Sequence, residues 1–493
     1  MRSTKIAPRR DQGDRAAVER RVRPAGWVNP QARELYDLVV VGAGPAGMEA
    51  AQYARRFGLT VALVEHAELG GNSLNAGSIP SKTLIHSARV CAQIRDAAEF
   101  AISSAADLNL DFAALKARMT RVRARIAEYH SAERLRADGI DLFFGEAKFS
   151  SSATLAVDAT TLPFNKAIIA TGARPRPPTF PGLDNVGYRT STNIFDMPEL
   201  PQRLVVIGGG PLGCELAQAF CRLGSRVTII QNDPKFLPRE ERDAAELLSE
   251  AMARDGVDIM LNTTVVGAHA ENHDKFVDGE NYDKKISVAT DEILLSIGRL
   301  PNVEKLDLKI AGVDCDDKGV KVDDCLRTAN RNIYAAGDVC MSNRFTNVAW
   351  VSARMAVCNA FQAKRVRRSE MMIPWCTFCD PEIAHVGLQV WDARARSIPL
   401  KTYTVMMQDI DRAITGGQDD GFVKIHVQDG TDRILGATIV ASRASELINE
   451  VSVIMSTGIG MRDLARIIHT YPAQSEAIRL AALAFERDNP GNE

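Results

Sequence analysis

Two glycine triplets stand at the spacing that dinucleotide phosphates require. Gly42, Gly44 and Gly47 form G-x-G-x-x-G in "VVVGAGPAGMEAA", and Gly208, Gly210 and Gly213 repeat it in "RLVVIGGGPLGCELA". The first glycine permits the tight turn. The second lets the backbone approach a pyrophosphate, and the third lets helix and strand pack closely. The helix that follows adds free N–H groups and the positive end of its dipole. Glu65 closes the next strand, where a carboxylate accepts from ribose hydroxyls. In the second copy that place is Gln231. An amide still bonds a ribose hydroxyl but does not repel a 2′-phosphate, so the choice between NADH and NADPH stays open. Lys235 and Arg239 follow closely enough to meet a phosphate, although charges after a strand also form solvated faces.

Other residues could do chemistry. "GGNSLNAGSIPSK" (70–82) carries two hydroxyls, Ser73 and Ser78, and ends on Lys82. "CTFC" (376–379) has C-x-x-C spacing but precedes "DPEIAHVG", which reads as a turn leading into a strand. A redox motif of that spacing normally opens a helix. A lone pair of thiols also cannot complete a tetrahedral metal site, so no metal is expected. Cys214, Cys221, Cys340 and Cys358 read as buried small hydrophobes. His66, His385 and His426 show no ligand spacing and read as structural. Glu215, just inside the second glycine helix, is favoured there by the helix dipole.

The elements that position these residues need space. The 493 residues suggest about three domains. Leu38 to Val41 is the apolar run of a doubly covered parallel strand. A composition of 45% hydrophobic and 25% charged residues is that of a globular protein. A net charge of -2 gives no electrostatic case for nucleic acid or an anionic membrane. No apolar run approaches the roughly 18 residues of a membrane span. Residues 1–35 are basic but lack a signal peptide's apolar core, and Asp11, Asp14 and Glu19 interrupt them. They read as a solvated or domain-wrapping extension. Nine scattered cysteines suggest no secreted disulfide framework, so the cytoplasm is the expected compartment.

Together these motifs resemble the class I pyridine nucleotide–disulfide oxidoreductases, the family of dihydrolipoamide dehydrogenase, glutathione reductase and mercuric reductase. "IIATGARPRPP" (168–178), "LLSIGRLPN" (294–302), "IYAAGDV" (333–339) and "HTYPAQSEAIRLAA" (469–482) fall in the family's order. "AGWVNP" (25–30) and "DIDRAITGGQDDGFVKIHV" (409–427) look most like the mercuric-reductase-like branch. The resemblance implies an α/β fold with two Rossmann-like domains, for FAD and NAD(P), and a C-terminal α+β interface domain that forms a homodimer. It divides the chain into an FAD domain at 36–175 and 298–367, an NAD(P) domain at 176–297 and an interface domain at 368–493. Asp338 would hold the FAD ribityl chain. Thr171 and Gly172 would lie at a crossover beside the flavin, and Gly298 and Arg299 would mark the return from the NAD(P) domain. Lys82 would sit near flavin N5, paired with Glu215.

Two departures redirect the expected chemistry. Ser73 and Ser78 occupy the places of the family's redox-active cysteines. Tyr471 stands where the family's acid–base histidine precedes a proline, with His469 at the earlier histidine place and Glu476 retained; the mercuric-reductase-like branch also carries tyrosine there, so the serines weigh more. Asn72 and Ala76 also depart from the pattern, which marks a divergence wider than two substitutions. A hydroxyl cannot form a disulfide, and a tyrosine with pKa near 10 is a poor base at neutrality. The expected activity is therefore an FAD-dependent NAD(P)H oxidoreductase with a small-molecule, non-disulfide electron acceptor. The alternatives are a redox-sensing flavoprotein and a disulfide reductase that borrows a partner's cysteines.

Overall fold

Tyr36–Val41 is the central strand of a seven-stranded sheet. Its side chains alternate between two apolar clusters, Leu38 and Val40 in one and Val39 and Val41 in the other. Burial on both faces explains the unbroken apolar run. Val61–Glu65 pairs parallel on one side, followed by Ile140–Phe144, and Thr160–Ile169 pairs parallel on the other. The chain then leaves through Ala173–Pro175 and comes back antiparallel through Arg299–Pro301. Ile333–Ala335 finally rejoins the first sheet beside Thr160–Ile169. The excursion builds a second, four-stranded parallel sheet around Arg203–Ile207, with an antiparallel three-stranded sheet beside it. Past Trp375 an antiparallel five-stranded sheet packs with helices Ala444–Thr457 and Glu476–Asp488. This is the α/β fold with two Rossmann-like units and a C-terminal α+β unit that the sequence implies.

The computed structural model describes residues 11–103 and 110–490; residues 1–10 of the expected extension and 491–493 of the expected interface domain lie outside the described residues. Helix Asp11–Val22 buries Val18 and Val22 in the same cluster as Leu38. Beyond it the chain runs along the edge strand Ile140–Phe144. Asn29 brackets Phe144, donating to its carbonyl at 2.9 Å and accepting from its N–H at 2.8 Å. Trp27 donates to the Leu142 carbonyl, and Arg23 donates to the carbonyls of His66 and Ala67. The extension thus satisfies backbone groups on a sheet edge that would otherwise invite foreign strands. Among the described residues no helix is long and apolar enough to cross a membrane.

A buried charge cluster joins the second nucleotide unit to the C-terminal sheet. Glu241 accepts from Lys424 at 2.7 Å and lies 2.9 Å from His426 Nε2. Burial alone would raise the Glu241 carboxyl, but His426 and Lys424 outweigh it and bring it down to about 2. Its neighbour Glu240 is 3% exposed and has one oxygen on Trp375 Nε1. Its other oxygen is buried without a partner. Burial pushes the Glu240 carboxyl up to about 7, against the Trp375 bond and with help from Glu241. A carboxyl raised in the folded state contributes most below its unfolded value of about 4.3, and the contribution is lost as pH rises through the folded value. Glu240→Gln should therefore gain stability over the native chain as pH rises from about 5 to about 8. Thermal melts at the two pH values test this; an equal difference at both would refute it.

Candidate functional site

The two glycine loops are built alike. A Cβ on Gly47 would lie 1.7 Å from the Gly42 carbonyl oxygen, and one on Gly213 would lie 2.1 Å from that of Gly208. Helix and strand touch there, so no side chain fits. A Cβ on Gly44 would meet only the Gly71 Cα, at 3.8 Å, and one on Gly210 would meet nothing within 4 Å. Both loops therefore leave open space where a phosphate group must approach backbone. The residues closing the second strands also correspond. Glu65 Oε2 accepts from the Ala43 N–H at 2.7 Å, and Gln231 Oε1 accepts from the Gly209 N–H at 2.8 Å. The Ala67 N–H donates to the other Glu65 oxygen at 2.8 Å. Both loops fit the phosphates and adenosine ribose of a dinucleotide.

Lys82 and Glu215 meet across the two units. Helix Ser78–Arg95 packs against helix Pro211–Leu223, and Lys82 Nζ donates to Glu215 Oε2 at 2.7 Å. Glu215 is 4% exposed, and its second oxygen accepts from the Phe378 N–H at 3.0 Å. The ammonium also lies 4.3 Å from the Phe378 ring centroid, a cation–π contact.

Ser73 sits in the short helix Gly71–Asn75, and Ser78 opens the next helix with its side chain exposed. Ser73 Oγ is 2.6 Å from Thr346 Oγ1, at the first residue of helix Thr346–Phe361. Thr171 and Gly172 are locked by Asn302. Its carbonyl accepts from the Thr171 hydroxyl, its amide donates to the Thr171 carbonyl, and its N–H donates to the Gly172 carbonyl. Arg299 Nη1 is 2.8 Å from Asp338 Oδ2. Arg344 donates to the Arg299 carbonyl, while its own Nε is buried without a partner. Gly298 adopts a φ of 99° before this arginine. Burial raises the Asp338 carboxyl, with the Arg299 and Arg344 charges opposing. A ribityl hydroxyl could be bonded there.

In the C-terminal unit the Tyr471 hydroxyl donates to Asp411 at 2.7 Å, and its side chain is exposed. That bond and the Asp411 charge raise the phenol above its ordinary value. His469 Nε2 lies 2.6 Å from Glu450, not from Glu476, which opens the last helix. Cys376 lies within strand Trp375–Thr377 and Cys379 in the turn after it; both thiols are free and pushed well up by burial. Cys214 and Cys221 are buried as expected, whereas Cys340 and Cys358 are only half-buried. The Cys340 thiol itself donates to the Gly337 carbonyl and burial pushes it up to about 12, while the Cys358 sulfur lies 3.6 Å from the Tyr53 hydroxyl. His385 and His426 are fully buried on hydroxyl, carbonyl and carboxylate partners; His66 is exposed beside Glu65.

The sequence profile of the family "Pyridine nucleotide-disulphide oxidoreductase" matches residues 36–360, and that of its dimerisation domain matches residues 373–482. The chain belongs to this family. It is 31% identical to a mercuric reductase of Staphylococcus aureus, over 92% of this chain and 83% of that one. It is 33% identical to a dihydrolipoyl dehydrogenase of Chlamydia muridarum, over 91% and 97%. The HOCl-induced flavoprotein disulfide reductase RclA from Escherichia coli superposes with a TM-score of 0.82 at 29% identity, over 91% and 99%. Mercuric reductases and dihydrolipoyl dehydrogenases stand at similar identity, so identity alone does not choose a substrate. Members of the family are FAD-dependent oxidoreductases that use NAD(P)H.

Sequence reasoning passed over Thr346, Asn302, Arg344, Asp411 and Glu450. Asn302 and Asp411 lie inside the motifs "LLSIGRLPN" and "DIDRAITGGQDDGFVKIHV", and Thr346 and Arg344 follow "AAGDV" closely, but nothing in the pattern gives their partners. Because Glu215 serves both Lys82 and a backbone N–H, its two functions separate by substitution. Glu215→Ala should cost about 2–3 kcal/mol, since it strands a donor and a cation together. Glu215→Gln keeps an acceptor for Phe378 and should cost clearly less. Thermal melts that show equal losses would mean the acceptor for the Phe378 N–H contributes nothing and the charge pair carries the whole effect.

Proposed function

We propose that this chain is an FAD-dependent NAD(P)H oxidoreductase whose electrons leave for an acceptor other than a disulfide. Candidate acceptors are a quinone-like molecule, a second nicotinamide, oxygen or another small substrate. By the family resemblance Ser73 and Ser78 stand in the places of the redox cysteines, and one observation supports the reading: the Ser73 hydroxyl is engaged by that of Thr346. Cys376 and Cys379 flank Phe378, whose ring faces the Lys82 ammonium, and burial holds both thiols in the protonated form. A protonated buried thiol is a poor nucleophile. On this reading residues 36–175 and 298–367 hold FAD through Gly42, Gly44, Gly47, Glu65, Thr171, Gly172 and Asp338. Residues 176–297 hold NAD(P)H through Gly208, Gly210, Gly213 and Gln231, with Gly298 and Arg299 at the return. Bound FAD would supply the capacity to accept a hydride and pass electrons on. Lys82, fixed by Glu215, supplies a positive charge where reduced cofactor gains negative charge. Ser78 and Tyr471 supply hydroxyls to an acceptor pocket, Tyr471 reaching it from the second subunit, with Glu476 behind.

Reduction by NADPH or NADH should give no long-wavelength thiolate–flavin absorption, because Ser78 offers no thiolate. Lipoamide, glutathione disulfide and mercuric ion should turn over poorly and quinone dyes well. Rapid lipoamide or glutathione disulfide reduction that survives Cys376→Ala with Cys379→Ala would sink the proposal. Ser73→Cys with Ser78→Cys should restore the absorption band.

The homodimer belongs to the same proposal. Residues 373–482 match the family's dimerisation domain, and Ile468 is 94% and Val453 61% exposed in the single chain. Those apolar side chains need covering. Sedimentation should show a dimer at micromolar concentration, and Ile468→Asp should shift it to monomer. A native monomer at that concentration would leave Tyr471 without a role at a second subunit's site.

A further inference from the structure

We infer that the second glycine loop is built for a nicotinamide dinucleotide carrying a 2′-phosphate, and that Gln231 is the residue that selects it. The inference rests on the proposed assignment of that loop to the nicotinamide cofactor. The internal comparison between the two loops carries it. Glu65 and Gln231 both stand 22 residues past the loop N–H they bond, at 2.7 and 2.8 Å. Each therefore spends one oxygen on its own glycine loop. What remains on each side chain differs by one atom. Glu65 keeps a second carboxylate oxygen, which already takes the Ala67 N–H and can only accept further bonds. Gln231 keeps an amide nitrogen. Because the Gly209 N–H demands an acceptor, the amide oxygen must face the loop and the NH₂ must face away.

A ribose 2′-hydroxyl can donate, so it suits Glu65. A phosphate ester oxygen at neutral pH accepts bonds and carries charge, so it suits an amide donor and is repelled by a carboxylate. The turn that follows supports the same choice. Lys235 and Arg239 are exposed, and neither forms an ion pair among the described residues. The one acid between them and Gln231, Asp233, turns an oxygen back onto the Lys235 N–H at 2.8 Å. Gln231 itself is fixed at both backbone groups, its N–H on the Met260 carbonyl and its carbonyl on the Thr263 N–H.

The test is calorimetric titration of the oxidised, FAD-loaded protein with adenosine 2′,5′-bisphosphate and with 5′-AMP, which reads binding without turnover. The bisphosphate should bind at least about tenfold tighter than AMP. Gln231→Glu retains the acceptor for Gly209, so the loop stays intact. It should remove most of that preference by weakening the bisphosphate, without weakening AMP. Gln231→Leu, which adds no charge, should lose part of the preference. AMP binding as tightly as the bisphosphate, or a preference untouched in both variants, would overturn the inference alone. Failure of both nucleotides to bind would overturn it together with the assignment of the second loop.

Discussion

The buried carboxylate of Glu215 is the interaction on which the arrangement depends. A carboxylate in a low-dielectric interior must be paired and hydrogen-bonded, or it neutralises itself. Glu215 meets that demand with Lys82, 133 residues away, and with the Phe378 N–H, 163 residues away. One side chain therefore links the first nucleotide unit, the second, and the C-terminal sheet. The apolar cluster around it is shared in the same way, with Leu84 and Ile85, Cys214 and Leu216, and Cys379 and Ile383 packed together. Non-directional burial brings the three units into contact. The carboxylate sets how they register, because its two bonds admit few alternative positions.

That registration places Lys82 relative to both glycine loops, and it makes the hydroxyls intelligible. Ser73 and Thr346 come from segments 273 residues apart and meet at 2.6 Å. A hydroxyl pair at that distance is a firm hydrogen bond. It holds the start of helix Thr346–Phe361 to the segment before Lys82. A thiol in the Ser73 place would be a weaker hydrogen-bonding partner and a far stronger nucleophile. A serine at this point thus offers fixed polarity where a thiol would offer reactivity.

The legible part of the site was the local part. Glycine spacing, Glu65 and Gln231 are read within single strand–turn–helix units, where backbone geometry dictates residue type, whereas the Lys82 segment is read through the family resemblance. The parallel strands were legible for the same reason, as apolar runs buried on both faces. Asn302 on Thr171, Arg344 beside Arg299, and Glu450 on His469 were not legible. Their partners are set by how distant segments pack, and an isolated Asn or Glu carries no pattern. The buried Glu240 was hidden for a further reason. In sequence it is one acid in the charged run "PREERD", which reads as a solvated surface. Only the packing of Trp375 over it reveals a carboxyl deprived of water.

The C-terminal hydroxyl follows the same logic as the serines. A base for thiol chemistry must accept a proton near neutrality. Tyr471 is tied as a donor to Asp411, and that negative neighbour makes loss of the phenolic proton harder still. The nearby imidazole of His469 is engaged by Glu450. Tyr471 can therefore offer a bonding partner but not take a proton from a thiol. On the proposed reading, Ser73 and Ser78 in the thiol places and Tyr471 as a held donor act together against thiol chemistry. A site that retained the base without the thiols would have kept a proton acceptor with nothing to deprotonate. On that reading the serine and tyrosine hydroxyls offer only hydrogen bonds, while Lys82 keeps its charge in place through Glu215.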